Sequence, residues 1–191
     1  MTDNSKEAIL EAARRTAQAH GYGGLNFRDI AAAVGIKAAS IYHHFASKAD
    51  LGAAVAKRYW EDTAAHLEAL SAASGDPTAA LEAYPGVFRS SLEQDNRMCL
   101  CSFMAAEYDD LPDTVKTEVQ AFADVNVAWL TRMLAAASVC GTNCEAKARA
   151  IFAAVAGAQL MARSRADLSL FDTLIASYRE SGLIPTRESH A

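Results

Sequence analysis

Between Asn26 and Lys48 the chain concentrates side chains suited to recognising a charged duplex. Ser40, Tyr42, His43, His44 and Lys48 supply hydroxyl, imidazole and ammonium groups that can donate to phosphate oxygens. Arg28 carries a guanidinium fork of the shape that grips guanine in two places. Ala38 and Ala39 are small enough to bring a helix start against base edges, where an alanine methyl can meet a thymine methyl. The chemistry common to this set is non-covalent reading of nucleic acid.

Such residues need two short helices meeting at a tight turn. Asn26 is a capping type, and Phe27, Ile30, Ala31 and Val34 behind it are spaced as the inward face of one helix. Gly35, within Val34-Gly35-Ile36, supplies the turn backbone. A second helix starts near Lys37, with Ala38, Ile41 and Phe45 on its buried face because they lie three and four apart. The spacing predicts a helix-turn-helix whose second helix is held for insertion into a major groove. Ahead of it, Ala8, Ile9, Ala12, Ala13, Thr16 and Ala17 form the apolar stripe of a helix from Ser5 to about His20, ended by Gly21, Gly23 and Gly24. After it, Ser47 caps a long helix from Lys48 to about Leu70. A continuous helix there could transmit strain between the N-terminal module and the remainder.

The rest of the chain reads as helix throughout. Ser71 to Pro77 is expected to be a loop, followed by helices near 78–94, 98–109, 113–138, 144–164 and 168–181. No segment alternates as a strand would. The expected class is therefore all-α, with a three-helix DNA-binding module over 1–50. A ligand-binding and dimerisation domain follows over 51–185, and a frayed tail over 186–191. Half of the 191 residues are apolar (51%), enough for a substantial core. No apolar run approaches the roughly 20 residues that span a membrane. The N-terminus lacks a basic-then-apolar secretory pattern, so a cytoplasmic protein is expected. The net charge of −5 is unevenly spread. Residues 1–50 hold six bases against five acids and the remainder 12 against 18, so a local basic edge coexists with an acidic bulk.

Phe27-Arg28-Asp29-Ile30-Ala31, Val34-Gly35-Ile36, Ser40-Ile41-Tyr42-His43-His44-Phe45 and Ser47-Lys48-x-x-Leu51 together resemble the TetR family of bacterial one-component repressors, over about residues 5–55. The resemblance implies a dimer that binds a palindromic double-stranded DNA operator and a C-terminal bundle that holds a small-molecule inducer. It puts Arg28, Ala38, Ala39 and Tyr42 where bases are read, and Asn26, Lys37, Ser40, His43, His44 and Lys48 where phosphates are held. It also implies a pocket enclosed by the middle helices, with Trp60, Tyr84, Phe88, Cys99, Phe103, Met104, Glu107 and Trp129 as candidate lining. Aromatic and sulfur side chains suit planar or apolar ligands. Two C-terminal helices, over about 146–181, are implied as the homodimer interface. Ala150, Ala153, Ala154 and Gly157 give that interface a close-approach face, and Leu170, Phe171, Leu174, Ile175 and Tyr178 add apolar area.

Four cysteines complete the inventory. Cys99 and Cys101 are two apart, so on a helix they point about 200° apart and cannot share one metal. Cys140 and Cys144 could approach one another, but they do not make a zinc pattern, and in a reducing cytosol free thiols are expected. No metal or cofactor is implied. The Met98-Cys99-Leu100 entry resembles a subgroup of the family with Gly-Cys-Leu at the start of its sixth helix, where in some members the cysteine reacts with electrophiles or oxidants, which makes Cys99 a candidate redox or electrophile sensor. A helix start beside Arg97 would lower the Cys99 thiol pKa. Alternatives are a thiol-dependent enzyme using Cys99 or Cys101, and a ligand-independent architectural DNA-binding protein. The expected chemistry is not enzymatic, because no histidine or acid is recognisably arranged around either thiol.

Overall fold

A computed structural model describes residues 2–141 and 143–187. Thr142 and the tail from residue 188 onward, part of the segment expected to fray, lie outside the described residues. Every regular element among them is helical: α1 (Thr2–His20), α2 (Phe27–Val34), α3 (Ala38–Ile41), α4 (Lys48–Ser74), α5 (Pro77–Ala83), α6 (Gly86–Glu93), α7 (Leu100–Ala105), a 3-10 turn (Tyr108–Asp110), α8 (Asp113–Ala136), α9 (Cys144–Arg165) and α10 (Leu168–Glu180). The all-α class is as the sequence implies.

The chain forms two compact units. The first takes residues 1–62 and 99–122, so α7 and the 3-10 turn group with the N-terminal helices. Its core is Ile9, Ala13 and Ala17 of α1, Ile30 and Ala31 of α2, Ile41, Phe45, Leu51 and Val55, and Leu100, Met104 and Val115 from the later segment. Within the expected α1 stripe, Ala8 is exposed and Leu10 buried, because the inward face is rotated by about one residue. The second unit takes residues 63–98 and 123–191, and α6, α9 and α10 pack on one another there around Phe88, Ile151, Val155, Phe171 and Ile175. Arg89 of α6 donates to both carboxylate oxygens of Asp172 on α10, at 2.8 and 3.0 Å.

Several expected boundaries move, each for a local reason. The helix from Lys48 does not stop at Leu70 but runs to Ser74, so Ser71–Ser74 are helix rather than loop. Ser71 and Ser74 satisfy their hydroxyls on the carbonyls of Leu67 and Leu70, four residues back. The break falls at Gly75, in the left-handed region. Asp76 then caps α5, accepting from Thr78 and Ala79, with Pro77 at the first helical position. The single helix expected over 78–94 is divided at Pro85, which has no N–H to continue the ladder. The 98–109 segment shortens to α7 and the 3-10 turn. The helix expected from Lys37 through Phe45 is a single turn, Ala38–Ile41, followed by a turn over 42–44.

Cys140 and Cys144, expected as free thiols, are joined as a disulfide across the α8–α9 connection, with Cα atoms 4.8 Å apart. Four residues of separation bring them within reach once Gly141 turns the chain. At the C-terminal end, the Arg187 backbone N–H donates to Glu82 at 2.6 Å, so residues 186–187 are not a free tail.

Candidate nucleic-acid interface

The interface is assembled by two caps. Asn26 takes an extended backbone (φ −142°) and its side-chain oxygen accepts from the Arg28 N–H at 2.8 Å, which starts α2 and fixes where Arg28 emerges. At the other end Gly35 adopts φ +77°. The Gly35 N–H donates to Ala32 and the Ile36 N–H to Ala31, the paired bonds of a left-handed helix stop. A side chain would strain that backbone. The chain leaves it through extended Lys37 into α3. Buried Ile41 and Phe45 anchor the far side, and the N–H groups of His44 and Phe45 both donate to the Ile41 carbonyl.

What remains outside is the expected set. Asn26, Arg28, Lys37, Ala39, Tyr42 and His43 are exposed, while Ala38, Ser40, His44 and Lys48 are half-buried. Tyr42 is 60% exposed, and its ring meets Phe27 edge-on with centroids 4.8 Å apart. The ring is thus steadied on its inner side and open on its outer side. Asn26, Arg28, Ala38, Tyr42 and Lys48 share an open hollow of about 640 Å³ with Leu25, Phe27, Ala46 and Ser47. Sequence reasoning placed Phe27 inward and so missed its part in this wall. Ser47, read as a cap, does accept from the Asp50 N–H at 3.1 Å and donates to its carboxylate at 2.8 Å. The Lys48 ammonium is already engaged: it donates to the Gly23 carbonyl at 3.1 Å and stands 4.6 Å over the Tyr22 ring.

The candidate ligand residues divide between the two units. Tyr84, Phe88 and Trp129 come together in the second. Tyr84 stacks on Trp129 (5.7 Å) and meets Phe88 edge-on (5.8 Å). The Tyr84 hydroxyl donates to Asn126 at 2.9 Å, and the Trp129 N–H donates to Ser71 at 2.8 Å. Asn126 and Gln159, both fully buried, were missed as polar members of this interior. The available signal was an amide at a position where helical spacing demands an apolar residue. Trp60, Cys99, Phe103, Met104 and Glu107 belong to the first unit. There the Trp60 N–H is taken by Glu118 at 2.7 Å.

Glu107, a candidate for the ligand site, gives its carboxylate to the backbone of the α1–α2 turn, accepting from Tyr22 N–H at 2.6 Å and Gly23 N–H at 2.9 Å. No sequence signal marks that pairing, because the partners are backbone groups about 85 positions away. The lowered pKa expected for Cys99 is reversed. Burial pushes this thiol up, against hydrogen bonds with Ser102 and Tyr59 that favour the thiolate. Burial likewise raises Cys101 well above the usual thiol value. Desolvation of the charged form thus outweighs the influence of the helix start on these thiols.

Comparison with known proteins agrees with this geometry. The family described as bacterial regulatory proteins, tetR family, matches residues 9–55. The transcriptional repressor AcnR of Corynebacterium glutamicum is 41% identical over 68 residues, which are 36% of this chain. The match spans about a third (35%) of that repressor's own length. A TetR-family transcriptional regulator from Agrobacterium tumefaciens superposes with a TM-score of 0.89 at 31% identity, covering 97% of this chain and 100% of the relative. A TetR transcriptional regulator from Legionella pneumophila gives 0.86 at 29%, covering 92% and 96%. With the helix-turn-helix in place and a full-length relative above 30% identity, this chain belongs to the TetR family of transcriptional regulators.

Proposed function

We propose that the chain is a ligand-responsive transcriptional repressor that binds a palindromic operator as a homodimer and releases it when a small molecule occupies the C-terminal unit. The observation that carries this reading is the exposed set Arg28, Lys37, Ala39, Tyr42 and His43, arranged by the Asn26 cap and the Gly35 turn while Ile41 and Phe45 stay buried. In this scheme α3 and the following turn enter the major groove, Arg28 and Tyr42 read bases, and Asn26, Lys37, Ser40, His43 and His44 grip phosphates. Support for a dimer comes from α9, where Ala150, Ala153, Gly157, Leu160 and Met161 are exposed along one face. A palindromic site requires such a two-fold pair. The aromatic interior around Tyr84, Phe88 and Trp129 favours a planar or apolar inducer. Binding there would bias α4, which contributes residues to both units, and so change the operator-competent population.

The test is binding of the wild-type protein and of Arg28→Ala and Tyr42→Ala to a duplex selected from a randomised pool. Each variant is expected to lose about tenfold or more in affinity, the size of one good base contact, with helicity and dimerisation unchanged. Wild-type affinity should fall steeply as salt rises. Equal affinity of both variants and wild type would remove α3 and its turn as the reading element.

A further inference from the structure

The geometry points to Glu107 as a positioning residue that latches the DNA-reading head to the segment containing α7. This inference rests on the DNA-binding reading above and names the contact on which the head's orientation depends. The carboxylate sits just past the end of α7 and just ahead of the 3-10 turn. It accepts from two consecutive backbone N–H groups, Tyr22 and Gly23, in the turn that carries the chain from α1 to Asn26. Both bonds are charge-assisted, the stronger kind.

The seat is shaped for that carboxylate. Gly21 lies at φ +69°, and a Cβ built there would overlap the Glu107 carboxylate atoms. Gly21 therefore serves the bend and also leaves room for the acid. Lys48, at the start of α4, also donates to the Gly23 carbonyl and covers the Tyr22 ring. The turn is thus held through its N–H groups by Glu107 and through a carbonyl by Lys48. Three residues beyond Gly23, Asn26 caps α2 and sets where Arg28 emerges. A displacement of the α7 segment would withdraw the acceptor from two amides at once, and the bend leading into the reading head would lose its fixed orientation.

Amide hydrogen exchange of the full chain by NMR reads the latch itself, and affinity for the selected duplex reads its consequence. E107A and the near-isosteric E107Q are compared with wild type and with D109N, a neutralisation of an exposed neighbouring acid. Exchange at Tyr22 and Gly23 should accelerate by about tenfold or more in E107A, with E107Q intermediate. DNA affinity should fall in the same order while helicity and dimerisation hold, and D109N should match wild type in both readouts. Unchanged exchange at the two amides overturns the latch. Faster exchange with unchanged DNA affinity overturns its positioning role. A wild-type chain that selects no duplex overturns the DNA-binding reading, and with it the positioning role, while amide exchange still decides whether the carboxylate holds the turn.

Discussion

At the scale of single residues, the reading head depends on backbone geometry as much as on donor chemistry. Gly35 is a clear case, because its left-handed φ and its paired hydrogen bonds permit the abrupt exit from α2. Gly35→Ala has open space for a methyl group, so its cost is backbone strain alone. About 1 kcal/mol of lost stability is expected in urea denaturation, with a larger proportional loss in DNA affinity because α3 is re-aimed. Charge at this scale works through local pairs. The Glu11 carboxyl is held down to about 2 from its ordinary 4.5, first by a hydrogen bond from Arg14, against burial, and with Arg15 adding to it. A carboxyl whose folded pKa is depressed contributes stability that is complete above its unfolded value and lost as pH falls toward the folded one. The melting temperature of wild type should therefore fall more steeply between about pH 4.5 and 2 than that of Glu11→Gln. Parallel profiles would show that the pair contributes nothing to folding.

Among whole elements, helix identity follows periodicity closely, whereas helix ends follow individual caps and breakers. Ser71–Ser74 carry a loop-like composition, yet their hydroxyls bond back onto α4 and the helix continues to Gly75. Pro85 divides what helical spacing presents as a single segment. The recognition segment is shorter than its pattern implies, since buried Ile41 and Phe45 are joined by a turn in which Tyr42 points to solvent. Between α8 and α9 the pairing of Cys140 with Cys144 sets a countable outcome. Denatured in the absence of reductant, the chain should alkylate at two thiols, Cys99 and Cys101, and after reduction at four. In the native state those two buried thiols should react slowly, which mass spectrometry of a timed alkylation would read. Four reactive thiols without reductant would show the pair to be open.

For the molecule as a whole, the proposed binding of a palindromic operator calls for a two-fold assembly, and the exposed face of α9 is where that assembly is proposed. Leu160 is 58% and Met161 47% exposed, beside the small Ala153 and Gly157. Leu160→Glu should give a monomer by light scattering, with unchanged helicity and a large loss of DNA affinity, because two linked half-site contacts become one. A dimer of wild-type strength in this variant would move the interface elsewhere. The all-helical plan, the helix-turn-helix and its exposed donors were legible in the order of residues, because caps, glycine turns and three-and-four spacing act over a few positions. The eight candidate ligand residues were legible only as types, and the fold divides them between the two units. Glu107 meeting Tyr22 and Gly23, the burial that raises Cys99 and the buried amides of Asn126 and Gln159 were decided by tertiary structure alone. Each depends on which distant segments the core brings together, and local pattern carries no record of a contact made with another segment's backbone or with the absence of water.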